Sequence, residues 1–153
     1  MLNAVKTLLV TQTGAKAPCP GFLVEGLTRF FDGRVTGRAE LSYVSTHETS
    51  SQKDRKAVSF EELRGTIRAA WIAAPEGELR RLASKTLNDL DDRDSALALA
   101  FVEWALDQHR AGLRAFLGSL DPQAGVPEQL EKALGASLDA LERELRTWVR
   151  VEL

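Results

Sequence analysis

Residues 94–110 read DSALALAFVEWALDQHR. The run is too long for one strand, and its apolar positions nearly encircle a helix. A helix that is apolar all round is normally the buried centre of a bundle. The fold class expected from it is mainly α, a multi-helix antiparallel bundle, with Asp94 or Ser95 capping this central helix.

The flanking sequence supplies helices to surround that centre. Downstream, AGLRAFLGSL (111–120) is followed by Asp121-Pro122 and a Gly-containing loop. Pro127 suits a first helical position in PEQLEKAL, and Gly135 suits its end. Ser137 caps a last helix whose buried stripe is Leu138, Leu141, Leu145, Trp148 and Val149. Upstream, residues 76–90 carry Leu79, Leu82, Leu87 and Leu90 on one side of a further helix. Ser59-Phe60-Glu61-Glu62 forms a capping-box pattern, opening a helix that Pro75 stops. Before it, STHETSSQKDRK (45–56) is polar throughout and reads as a loop or hairpin tip. VTGRAELSYVS (35–45) alternates weakly, so a short β-hairpin or loop insertion is allowed around 35–58. FLVEGLTRFF (22–31) makes a short apolar helix closed by Asp32-Gly33. Leu2 to Thr13 makes another, with Leu2, Val5, Leu8 and Leu9 on one face and Gly14 as its stop.

Bulk composition narrows the function classes. The chain has 153 residues, the length of a single domain, 1–153. Its 20 Lys/Arg against 22 Asp/Glu leave no basic footprint for nucleic acid. Charge is uneven: residues 1–58 carry a net +3 and residues 59–153 a net −5. No apolar run approaches the ~20 residues that span a membrane, so no membrane partner is expected. The beginning has no charged n-region and no cleavage pattern, so no signal peptide is expected. The cytoplasm is the default compartment, unknown if the chain is cut from a longer exported precursor. Cys19 is the single cysteine, which excludes an internal disulfide and a thiolate zinc site.

The stretch Pro20-Gly21-Phe22-Leu23-Val24-Glu25-Gly26-Leu27-Thr28-Arg29-Phe30-Phe31 resembles the Glu-Gly helix of gluzincin metallopeptidases of the peptidase-MA-like group. The tail, ALGASLDALERELRTWV, is similar to that family's helical ending. In the family, the glutamate matching Glu25 is the third zinc ligand, and the glycine after it keeps the helix slim beside the metal. The resemblance implies an HExxH helix upstream, its two histidines on zinc and its glutamate as general base. Here the matching positions are Leu2, Asn3 and Lys6. Leucine cannot coordinate, protonated lysine repels a divalent cation, and asparagine cannot take a proton. The metal and the base are therefore expected to be missing, leaving no cofactor and no catalytic residue.

The implied function is a non-catalytic, peptidase-like domain: a remnant active-site helix pair (1–33), a loop or hairpin (34–58) and a helical bundle (59–153). Lys6, Glu25 and Arg29 are its cleft candidates for a peptide or protein partner. Glu25 is expected to pair with Lys6 across the helix interface or with Arg29 one turn on. One alternative is a helical homo-oligomerisation module with no cleft function, dimerising through Leu2, Val5, Leu9, Phe22 and Phe30. Another is a truncated fragment of a larger zinc metallopeptidase.

The remaining chemistry-bearing residues have plain structural readings. His47-Glu48 lacks a second histidine, since Ser51 stands where one would be, and reads as solvated loop. His109 suits a helix C-terminus, where the dipole favours its cation. Cys19 has no base placed to make a thiolate. NDLDDRD (88–94) lacks the ligand pattern of a calcium loop and reads as a helix-capping turn. Trp71, Trp104 and Trp148 fall on apolar helix faces and read as core.

Overall fold

The computed structural model describes residues 19–36, 38–39 and 58–153. The expected helix over 2–13, the vestigial positions Leu2, Asn3 and Lys6, and the polar stretch 45–56 lie outside the described residues. Those described are mainly α. The helices are α1 (Gly21–Thr36), α2 (Phe60–Ala73), α3 (Glu78–Ala83), α4 (Asp92–Gln108), α5 (Arg110–Gly118), α6 (Val126–Leu134) and α7 (Leu138–Glu152). Two-residue strands β1 (Arg38–Ala39) and β2 (Val58–Ser59) pair antiparallel, Arg38 opposite Ser59. They tie the end of α1 to the start of α2.

α4 is the centre, as its composition dictates. Every residue from Asp94 to Ala105 is buried. The most extensive helix contact is that of α1 on α4, with α2, α5 and α7 also packed against α4. The rings of Phe22 and Phe101 meet edge-on at 5.3 Å, and Phe101 meets Trp104 at 5.6 Å. The apolar core runs through all seven helices among the described residues.

Gly26 is what lets α1 sit so close to α4. A Cβ there would lie 2.4 Å from the Ala98 carbonyl oxygen and 2.7 Å from Val102 Cγ2. The slim face that the family resemblance places beside a metal is occupied here by a neighbouring helix.

Several boundaries differ from the sequence expectation. α1 does not close at Asp32-Gly33 but continues one turn to Thr36. The single helix expected over 76–90 breaks after Ala83 into a 3₁₀ turn at Leu87–Asp89. α4 starts earlier than expected, because Asp91 is the cap: its carboxylate accepts from the Asp94 N–H at 2.8 Å, and Asp94 returns a bond to the Asp91 N–H. Asp94 thus serves inside the first turn rather than ahead of it. Gly135 ends α6 in a left-handed conformation, φ 76°, and the Ser137 hydroxyl caps α7 by accepting from the Ala140 N–H.

Candidate functional site

Glu25 and Arg29, two of the three cleft candidates, stand one turn apart on α1. Arg29 Nε donates to Glu25 Oε1 at 2.8 Å, and their side chains are only 9% and 2% exposed. The expected i,i+4 pair is present, and it is buried rather than solvated. Lys6, the third candidate, lies outside the described residues.

The zinc role implied by the resemblance does not fit this arrangement. A ligand carboxylate must present an oxygen lone pair to a divalent cation, whereas Glu25 already accepts from a guanidinium whose charge opposes one. No group of three or more His, Cys, Asp or Glu is placed to hold a metal among the described residues.

The dimer face expected from the sequence loses one of its two described members. Phe22 is fully buried against α4 and Phe30 is partly buried, so Phe22 has no surface to offer a second copy. The apolar side chains that α1 does expose are Phe31 and Val35.

An open groove of about 640 Å³ lies at the N-terminal end of α1. Cys19, Pro20, Gly21 and Val24 form one wall, Ala83 to Leu87 the second, and Gly125, Val126 and Pro127 the third. Here Gly21 backs directly onto the 3₁₀ turn: a Cβ would sit 2.3 Å from the Leu87 nitrogen. Cys19 faces this groove with its thiol pushed up to about 12 by burial, so it is protonated at neutral pH and is no nucleophile.

A second cavity, about 300 Å³, lies toward the other end of α1. Phe30 and Arg34 of α1, Arg64 of α2, Glu103, Leu106 and Asp107 of α4, Arg110, and Trp148 and Glu152 of α7 surround it. Glu103 is 7% exposed, and its Oε2 has no hydrogen-bond partner. Burial pushes its carboxyl above the ordinary range against the opposing pull of Arg64 and Arg34. The Arg64 Nε is also buried and unpartnered. The sequence signal for this cavity was a lone carboxylate within the run ALALAFVEWAL, which the apolar count of that helix conceals.

The other polar clusters hold helices together. Glu78 is buried and accepts from Arg81 and, at 2.9 Å, from Arg93 Nη1. Asp94 is buried and accepts from Arg81 and Lys85. Glu142 reaches from α7 to accept the Leu79 N–H of α3 at 2.8 Å, while Arg146 donates to the Trp71 carbonyl at 2.8 Å and to that of Pro75. The acidic run 88–94 is taken up by caps, with Asp89 on Thr86 and Asp91 on Asp94. His109 closes α4, its Nε2 2.8 Å from Glu144 Oε1 and its ring 4.6 Å from that of Trp104. Trp71 and Trp104 are fully buried; Trp148 is half-buried, donating to Asp107 Oδ2 at 3.0 Å.

No protein-family model matches this chain, and comparisons with curated proteins and with solved structures return no match. No helix among the described residues is long and apolar enough to cross a membrane.

Proposed function

We propose that this chain is a non-catalytic, peptidase-like domain that binds a peptide or a segment of a partner protein. The Glu25–Arg29 pair carries the reading. The one carboxylate that the gluzincin resemblance assigns to a metal is neutralised by a guanidinium 2.8 Å away and withdrawn from solvent. A buried pair of this kind orients its surroundings, and removing one partner strands a charge.

The groove at the N-terminal end of α1 supports the binding half of the proposal. It adjoins the Glu-Gly helix, it is open, and Val24, Ala83, Leu87 and Val126 give it apolar walls for the side chains of an extended segment. Ligand sites are concave and mostly apolar, with a few polar groups to orient the occupant.

The test is fluorescence anisotropy with a pool of labelled octapeptides, on the wild-type chain and on Leu87→Glu. Leu87 is partly buried in the groove wall and packed against the core, so a carboxylate there should abolish binding, and a thermal melt of the variant separates lost binding from lost folding. Saturable binding lost in Leu87→Glu is expected. Absent binding, or binding indifferent to that substitution, would overturn the groove reading. Cleavage of the peptides once zinc is supplied would overturn the non-catalytic one.

A further inference from the structure

The cavity between α1, α2, α4 and α7 is independent of the peptidase-like reading and has its own chemistry. Its lining includes Glu103, whose buried Oε2 has no donor, and Arg64, whose buried Nε has no acceptor. Leaving a buried polar atom unpartnered is costly, more so when it is charged. Both residues line the same cavity, and neither atom meets a protein partner among the described residues.

The charges around them select among ligands. Arg34, Arg64 and Arg110 stand against Glu103, Asp107 and Glu152, so the lining is balanced in net charge. The Asp107 carboxylate is engaged with Gln108 and the Trp148 indole. The Arg34 guanidinium sits over the Phe30 ring at 5.3 Å. A purely cationic ligand would meet three arginines. A purely anionic one would meet Glu103. A molecule with a positive and a negative end satisfies both poles, and Phe30, Leu106 and Trp148 offer apolar surface between them. The cavity's roughly 300 Å³ is the volume of about ten liquid waters, room for one small molecule.

We propose that this cavity binds a small zwitterion of the amino-acid type, its ammonium on Glu103 and its carboxylate on Arg64 with Arg34 beside it. Charge-assisted bonds at both ends fix the orientation, and a guanidinium suits a carboxylate through paired N–H donors. An apolar side chain on the ligand lies against Phe30 and Leu106.

Calorimetric titration of the full chain with L-leucine tests this, beside L-leucinamide, which lacks the carboxylate, and N-acetyl-L-leucine, which lacks the ammonium. L-leucine should bind, and each analogue should bind at least tenfold more weakly. Glu103→Gln and Arg64→Met should each weaken L-leucine at least tenfold, and Arg34→Gln, at the exposed rim, by a smaller factor. Thermal melts of all three variants separate lost binding from lost folding; Arg34→Gln keeps the test open if a buried substitution unfolds the chain. No binding of L-leucine to the wild-type chain would overturn the proposal. So would equal binding of the analogues, or binding that none of the folded variants changes.

Discussion

Gly26→Ala and Gly65→Ala are the same substitution in two helix interiors, and the structure sends them in opposite directions. At Gly26 the new methyl would lie 2.4 Å from the Ala98 carbonyl oxygen, about 1 Å inside ordinary contact. The obstacle is backbone of α4, which cannot rotate away as a side chain could. The helix α1 must therefore lift from α4 along their shared interface. Overpacking of this kind typically costs ~1–3 kcal/mol, occasionally more. Alanine's better helix propensity returns ~1 kcal/mol of that. Because the obstacle is backbone the cost falls at the upper end, about 3 kcal/mol, and the net loss of about 2 kcal/mol lowers Tm by roughly 4–8 °C for a chain of this size. Gly65 lies in α2 with nothing within 4 Å of its would-be Cβ. There only the propensity gain of ~1 kcal/mol operates, and Tm should rise by roughly 2–4 °C. Circular dichroism melts at 222 nm, repeated in urea, read both. A Gly26→Ala protein as stable as wild type would refute the close α1–α4 packing.

Arg146→Ala removes a guanidinium that holds the Glu142 carboxylate and the carbonyls of Trp71 and Pro75. A loss of about 2–3 kcal/mol is expected in urea melts, since hydrogen bonds to charged groups contribute ~1.5–3 kcal/mol each and this residue keeps some solvent; an unchanged midpoint would show the clamp to be idle. For Asp94, burial pushes the carboxyl up, but bonds from Arg81, Lys85 and the Asp91 N–H outweigh it and hold the group below 3.8. A depressed folded pKa stabilises above the unfolded value and is lost as pH falls through the folded one. The wild-type chain should therefore lose stability below about pH 4, and Asp94→Asn, though less stable at pH 7, should show a shallower acid slope; parallel slopes would contradict the assignment. With its thiol pushed from 9.0 to about 12, Cys19 carries about a thousandfold less thiolate than an unperturbed cysteine. Alkylation by iodoacetamide at pH 8 should be slow in the native chain and fast in urea, and equal rates would place the thiol in solvent.

The central helix was legible because seven consecutive apolar positions, 96–102, with three more after Glu103, admit only one environment. Gly135 and Ser137 were legible for a similar reason, since a left-handed C-cap and a hydroxyl N-cap are local chemistry. The start of α4 was not. Asp91, Asp92 and Asp94 all suit a cap, and the choice fell to Asp91 because Arg81 and Lys85 of the preceding helix region draw Asp94 inward. After the break at Ala83, Thr86 caps the 3₁₀ turn, its N–H and hydroxyl donating to Asp89, which periodicity over 76–90 cannot register. The Glu25–Arg29 pair was readable as spacing, but its burial was not, since every residue from Gly21 to Arg29 is buried whatever its side of the helix. Glu103 escaped notice because its importance lies in what does not surround it, and only the packed structure supplies that.

Zinc content of untagged protein, dialysed against zinc and then against buffer, bears most directly on the proposal that Glu25, paired with Arg29, holds no metal. With Glu25 held by Arg29, elemental analysis should find zinc well below one per chain, and Arg29→Ala should not raise it to one. One zinc per wild-type chain, reduced in Glu25→Gln, would contradict the account.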